Sequence, residues 1–411
     1  MRKFRMPPTF DVVVFGATGF TGRLVAEYLG ARPGAGVRWA MAGRSRAKLG
    51  EVRSLVGAPP ALPLLQADAT DPASLAALVR QAKVVVSTVG PYQLHGEPLL
   101  RACAEAGTDY VDLCGEPGWM AAMIPRHEAA ARASGARLVF SCGFDSIPFD
   151  LGVVFAQDEA LRRLGAPLVR VRGRVRAMKG GFSGGTLASL MATLEAMGRD
   201  AGLARVLADP FALTPGFRGP RQPWSAAAEY DVAARSWSIP FVMAPINTKN
   251  VHRTHFLLGH PWGRDFAYDE RLLTGDGAAG ERRARKLVRR ERVQNAMLAW
   301  APTRALLRRF VLPKPGEGPG PVARERGRYE IAFLGETADG RRLTAVAKGE
   351  RDPGYGATSR IVAEAALCLA ETDRSKTAGG VWTPGAAMGL ALLPRLRERA
   401  GLSFSVEEPA A

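Results

Sequence analysis

Short apolar runs alternate with amphipathic stretches over the first third of the chain. Asp11-Val-Val-Val-Phe15 reads as a buried strand. It feeds into Gly16, Gly19 and Gly22, and then into a helix with Leu24, Val25, Tyr28 and Leu29 on one face. Further strands are predicted at Val37–Ala42, Leu62–Asp68, Val84–Gly90, Tyr110–Cys114 and Arg137–Cys142. Helices are predicted over Asp71–Arg80, Gly96–Ala106 and 119–134. Strands that alternate with helices of this length make parallel βαβ units, which bind ligands at the carboxyl ends of the strands. The prediction is an α/β fold with an N-terminal Rossmann domain, a doubly wound parallel sheet, over 9–150.

The pattern changes after Asp150. Val169-Arg-Val-Arg-Gly-Arg-Val-Arg-Ala177 alternates with period two, as a half-exposed strand does. A glycine-rich loop, Gly180–Thr186, precedes a predicted helix over Leu187–Met197, with Ser183 or Thr186 as its cap. Thr254–Leu258, Arg328–Leu334 and Leu343–Lys348 are further strand candidates. Together they predict an inserted α+β domain over 151–355 with a mostly antiparallel sheet. Helices over Arg360–Glu371 and near Pro384–Ala400 would return to the first domain from a C-terminal segment, 356–411.

Each glycine of the first loop has a distinct use. Gly16 allows a tight turn, Gly19 lets the backbone approach a pyrophosphate, and Gly22 lets the helix pack close to the strand. The amide groups and positive dipole end of that helix suit phosphates. NAD-preferring sites usually place Asp or Glu after the second strand; here stand Arg44 and Ser45, then Arg46. A guanidinium suits a 2′-phosphate, so NADP(H) is the expected cofactor. Its predicted contacts are Gly16, Thr18, Gly19, Phe20, Thr21, Gly22, Arg44, Ser45, Asp68 at the adenine edge, and Gly90, Pro91 and Tyr92.

Composition narrows the class. A chain of 411 residues with 47% hydrophobic content can fold as two or three domains with real cores. Cys103, Cys114, Cys142 and Cys368 form no CxxC pair, so no metal site is predicted and a reducing cytoplasm is expected. No apolar stretch reaches membrane-spanning length. The net charge of +17 is concentrated in Arg282–Arg292, ahead of a turn-rich, lid-like loop over Val311–Pro321. The basic segment is either a solvated face or a dock for an acidic carrier protein, a CoA-type phosphate or an anionic membrane surface. Nucleic acid is not expected, because aromatic residues do not cluster among the basic ones. A monomer and a homodimer are both open.

These motifs carry a resemblance along the whole chain. Gly16-Ala-Thr-Gly-Phe-Thr-Gly22, Ala42-Gly-Arg-Ser45, Gly90-Pro-Tyr92, Tyr110–Glu116, Cys142–Pro148, Ser183–Thr186, Pro315–Pro319, Asp352–Thr358 and Gly379–Pro384 follow one another in order. The sequence resembles the saccharopine dehydrogenase-like oxidoreductases, and within them the trans-acting enoyl reductase branch. The resemblance implies NADP(H) and reduction of a carbon–carbon double bond on a lipid or polyketide intermediate. The acyl substrate would be held by a carrier protein or CoA. Alternatives are a saccharopine-type imine or amino-acid dehydrogenase, and a non-catalytic NADP(H)-binding protein that docks on lipid or a partner.

Hydride transfer needs little from side chains beyond an enolate partner and a proton source. Tyr92 is the first candidate for either role, or an aromatic packed on the cofactor. His95 is a candidate proton relay, or a structural loop histidine. Glu116 and Asp145 either position ribose or substrate or cap the helices that follow them. Cys142, Ser183, Gly184, Gly185 and Thr186 complete the candidate substrate site.

Overall fold

The computed structural model describes residues 7–32, 36–180, 184–197, 200–300 and 317–408. Two seven-stranded sheets organise it. The first holds β1 (Phe10–Phe15), β2 (Trp39–Gly43), β3 (Leu64–Gln66), β4 (Ala82–Ser87), β5 (Asp109–Asp112) and β6 (Arg137–Val139), with β13 (Gly380–Trp382) from late in the chain. Their order is β13-β6-β5-β4-β1-β2-β3, and every pair is parallel. The chain leaves β1 in one direction and returns at β4 on its other side, which opens a crevice at the strand ends.

The valines of β1 explain why this sheet is buried on both faces. Val12 and Val14 join Val25 and Leu29 of the first helix (Phe20–Ala31) and Ile361 of the helix Thr358–Glu371. Val13 and Phe15 pack on the opposite face with Leu75 and Leu99.

The second sheet runs β14 (Leu402–Glu407), β12 (Arg342–Gly349), β11 (Arg328–Thr337), β7 (Leu168–Lys179), β10 (Ala267–Gly275), β9 (Ser236–Pro240) and β8 (Glu229–Asp231). Its pairs are antiparallel except the central β7–β10 pair. The helix Ile147–Leu164 links the two sheets and lies on β11 and β12. The absence of a side chain at Gly152 admits the Phe333 ring, which would stand 2.1 Å from a Cβ there. One apolar cluster therefore runs from β1 through this helix to β12.

The C-terminal segment ties both sheets together. Its helix Thr358–Glu371 packs on β1, β4 and β5. Buried Glu364 accepts hydrogen bonds from Tyr28 (2.7 Å), Arg32 (2.8 Å) and Arg395 (3.2 Å). Arg137 bridges Asp109 to the carbonyls of Leu369 and Thr372.

Several expectations are corrected. Thr254–Leu258 is not a strand: it ends the helix Ala244–Leu257. Buried Asn247, Asn250, Val251 and Thr254 recur at helical spacing, and a five-residue apolar run does not reveal that period by itself. Gly184, Gly185 and Thr186 are the first turn of the helix Gly184–Met197 rather than a loop before it. The segment Pro384–Ala400 is no single helix. It breaks into short turns where Gly389 takes φ +50° and Pro394 interrupts the hydrogen-bond ladder. Ser183 and positions 311–316 of the lid-like loop lie outside the described residues. Among the described residues no helix is long and apolar enough to cross a membrane.

Candidate functional site

The crevice between β1 and β4 opens into a cavity of about 580 Å³ that reaches the second sheet. Its nucleotide end is built by the glycine loop. Gly16 has φ +87°, and a Cβ there would stand 2.7 Å from Thr88 Oγ1. A Cβ on Gly22 would stand 2.2 Å from the Gly16 carbonyl oxygen. The loop is thus closed against the helix start by contacts only glycine permits. No side chain caps the first helix, so its leading amides are left for a ligand. Thr18, Gly19, Phe20 and Thr21 line the cavity, and the Phe20 ring meets Tyr355 edge-on at 5.1 Å.

Arg44 is exposed at the rim and has no ion pair among the described residues. The Ser45 hydroxyl caps the next helix by accepting from the Lys48 amide at 3.3 Å. Asp68 lines the same end. Its carboxylate accepts from the amide and hydroxyl of Thr70, and those bonds hold it below the usual carboxylate range. These groups fit a dinucleotide carrying a 2′-phosphate: amides and glycines for the pyrophosphate, and an unpaired guanidinium for the extra charge.

The inner end is lined by Val89, Gly90, Tyr92, Phe144, Asp145, Met178, Ser189, Val242 and Met243. Gly90–Pro91 is a cis peptide bond, as is Asp145–Ser146. The Tyr92 ring faces the cavity, but its hydroxyl has backbone partners. It donates to the Ser87 carbonyl (2.9 Å) and accepts from the Leu113 amide (3.1 Å). Burial raises this phenol well above its ordinary range. Tyr92 therefore ties the ends of β4 and β5 together, and its proton is already committed. His95 is exposed at the rim.

Glu116 lies outside the cavity lining. Its carboxylate accepts from the amides of Tyr92 and Gln93, both at 2.9 Å, and so caps the turn Tyr92–His95. The helix it caps precedes it in sequence, whereas the sequence pattern pointed to the one that follows. Cys142 is buried, with its thiol against the Val139 carbonyl, and burial raises the thiol well above its ordinary range. Gly184, Gly185 and Thr186 start the helix whose Ser189 lines the cavity.

Asp145 occupies the deep wall. It keeps a partly open face on the cavity, yet lies far enough from solvent that desolvation lifts its carboxyl to about 7. Buried Glu270 on β10 is lifted to about 8, first by burial, against hydrogen bonds from Asn247 (3.0 Å) and Tyr268 (2.8 Å). Sequence reasoning missed Met178, Val242, Met243 and Glu270. Each is a single residue of an unremarkable strand or turn, and no local signal marks it.

Comparison with known proteins places the chain. Residues 12–139 match the saccharopine dehydrogenase NADP binding domain family. A relative from Mycobacterium tuberculosis is 43% identical over 415 residues, covering 97% of each chain. A trans-acting enoyl reductase of Mycobacterium bovis is 37% identical over 403 residues, covering 94% of this chain and 95% of the relative. Saccharopine dehydrogenase (L-Glu forming) from Saccharomyces cerevisiae shares the fold, with a TM-score of 0.54 at 14% identity, over 97% of this chain and 100% of that one. The chain belongs to the trans-acting enoyl reductase family and carries the NADP-binding domain of the saccharopine dehydrogenases.

Proposed function

We propose that this protein is an NADPH-dependent reductase of the carbon–carbon double bond of an enoyl thioester in lipid or polyketide metabolism. The observation that carries this reading is the continuity of the cavity. The NADP end opens directly onto a chamber walled by Phe144, Met178, Val242 and Met243. That wall suits an acyl chain. A saccharopine-type reaction needs cations for its carboxylates, and the only arginine of the described lining is Arg44, at the nucleotide end. We place the acyl group on a carrier protein or CoA. The exposed Arg282, Arg283, Arg285 and Lys286 supply charge of the sign such a partner needs.

Bound NADPH supplies the hydride. The amides after Gly19 and the Arg44 guanidinium would hold the dinucleotide, and Tyr92 fixes the loop from Ser87 to Gly90 through its two backbone bonds. Phe144, Met178, Val242 and Met243 offer the acyl chain an apolar surface beside the nicotinamide end.

The test is NADPH oxidation by the purified protein with a series of enoyl thioesters, followed by the reduced-nicotinamide absorbance. Turnover with NADPH in preference to NADH is expected. Tight NADPH binding with turnover of glutamate-derived imines, and of no enoyl thioester, would replace this reading with the imine dehydrogenase.

A further inference from the structure

Reduction of an enoyl thioester leaves an enolate whose α-carbon must take a proton. Few acids line the described cavity. Asp68 lies at the nucleotide end, His95 at the rim, and the phenol of Tyr92 is bonded to Ser87. The Tyr355 ring packs on Phe20 at the nucleotide end (5.1 Å), and Asp145 is the carboxyl at the inner end of the cavity.

The turn carrying Asp145 is held from several sides. The Phe144 amide donates to Thr358 Oγ1 (2.9 Å), the Ser146 amide to the Ser141 carbonyl (2.9 Å), and Asn250 Nδ2 to Ser146 Oγ (2.8 Å). The Asp145 side chain, by contrast, has no hydrogen-bond donor and no cation against it among the described residues. Its Oδ1 is buried and unpartnered. A carboxylate left this bare is costly, whereas the neutral acid is not. Asn247 and Asn250 stand one turn apart on a single helix, bonded to Glu270 and Ser146, and each has a buried carbonyl oxygen with no donor among the described residues. Acceptors without donors around two buried carboxyls call for acidic protons rather than anions.

The titratable groups around Asp145 are few. From β10 comes Glu270, which has Tyr268 and Asp269 beside it, and the charge of Asp145 adds to the lift of Glu270. From β11, the buried Tyr329 ring packs on Phe144 at 4.9 Å. Gly115 approaches Asp145 Oδ2 from the connection after β5.

We propose that Asp145 is the acid that protonates the α-carbon of the substrate. The assignment rests on the enoyl-reductase reading above. Hydride from the reduced nicotinamide forms the β-carbon–hydrogen bond, and the former π pair moves onto the thioester as an enolate. That pair then forms the α-carbon–hydrogen bond while the Asp145 O–H bond breaks, leaving a carboxylate. One hydride and one proton are consumed per turnover. The carboxylate recovers its proton from solvent through the open cavity.

The test uses the full chain with NADPH and an enoyl thioester that the wild type turns over. Asp145→Asn should keep NADPH affinity and lower kcat by about 10²- to 10⁴-fold. Asp145→Glu should recover part of that loss. The wild-type kcat/KM should decline as pH rises through about 7, because the active form is protonated, and that decline should vanish in Asp145→Asn. Asp145→Asn with kcat within about threefold of wild type, or with the decline intact, overturns the assignment. If Asp145→Asn does not fold, the wild-type profile decides: a decline above about pH 7 supports the acid, and a flat profile overturns it. Wild-type turnover with an indifferent Asp145→Asn sinks the acid alone. Absence of wild-type turnover with every enoyl thioester sinks the reductase reading and the acid together.

Discussion

Replacing Gly22 by alanine tests the packing of the nucleotide loop directly. Alanine in a helix is ordinarily favoured over glycine by about 1 kcal/mol. At this position the added Cβ would lie 2.2 Å from the Gly16 carbonyl oxygen, 2.8 Å from its carbon and 2.8 Å from Thr88 Oγ1. Two of these are backbone atoms, so no flexible side chain can yield. The Gly16 turn is anchored by its amide to the Ala42 carbonyl (3.0 Å), with Gly19 bonded back to Gly16 (2.9 Å). The helix start must therefore withdraw by about 1 Å to reach ordinary contact. Overpacking of this kind costs about 1–3 kcal/mol, which leaves a net loss of about 0–2 kcal/mol after the helix gain. Withdrawing the amides from the phosphates should remove about one charge-assisted hydrogen bond, a weakening of NADPH binding of about 10- to 100-fold. The control is Gly50→Ala, in the interior of the helix Arg46–Leu55, where a Cβ meets nothing within 4 Å. That variant should be more stable by about 0.5–1 kcal/mol, with unchanged affinity. Thermal unfolding with and without NADPH, together with a fluorescence titration, measures both. A Gly22→Ala protein that binds NADPH as tightly as Gly50→Ala would refute the reasoning.

Other expectations follow from the same contacts. Arg44→Ala should weaken NADPH by about 10- to 100-fold and leave NADH nearly unaffected, as read by Kd for the two cofactors. Glu364→Ala strands Arg32 beside a buried hole and leaves Arg395 with Glu371 alone, and should cost about 3–5 kcal/mol in urea unfolding, whereas Tyr28→Phe should cost about 1 kcal/mol. Tyr92→Phe should lower stability by about 1–3 kcal/mol by orphaning the Leu113 amide, with kcat nearly retained; a collapse of kcat at normal stability would contradict the role given to its hydroxyl. Burial lifts the Asp150 carboxyl from 3.8 to about 7, against hydrogen bonds from Thr254 and Gly385. Its folded form thus binds a proton more tightly than its unfolded form, so its contribution to stability is full below about 4 and is lost as pH rises through about 7. Asp150→Asn should flatten that part of the unfolding profile.

Much of the first sheet could be read from the chain because its signals are local. Val12 to Phe15 are apolar on both faces, the glycines follow at once, and Arg44 sits one residue past the end of β2. The inner wall was not legible, because it is assembled by contacts distant in sequence. Glu116 reads as a cap for the helix it precedes, yet its carboxylate turns back to Tyr92 and Gln93. A tyrosine after a Gly-Pro turn reads as a donor until its hydroxyl is found between Ser87 and Leu113. Thr254-His-Phe-Leu-Leu258 looks like a strand because the polar residues that set its helical period, Asn247 and Asn250, are buried rather than exposed. Gly380-Val-Trp382 is too short to announce a strand, and only the free edge of β6 makes it one.

The placement of β13 also bears on how the protein comes off the ribosome. The edge of β6 is complete by Val139, but the strand that covers it starts at Gly380, more than half the chain's length later. Throughout that interval of synthesis the nascent sheet offers an unpaired parallel edge, the kind of surface that recruits foreign strands. The domain that emerges first is thus among the last to be finished. Its yield in a cell should respond to chaperone supply and elongation rate more than its native stability alone would suggest.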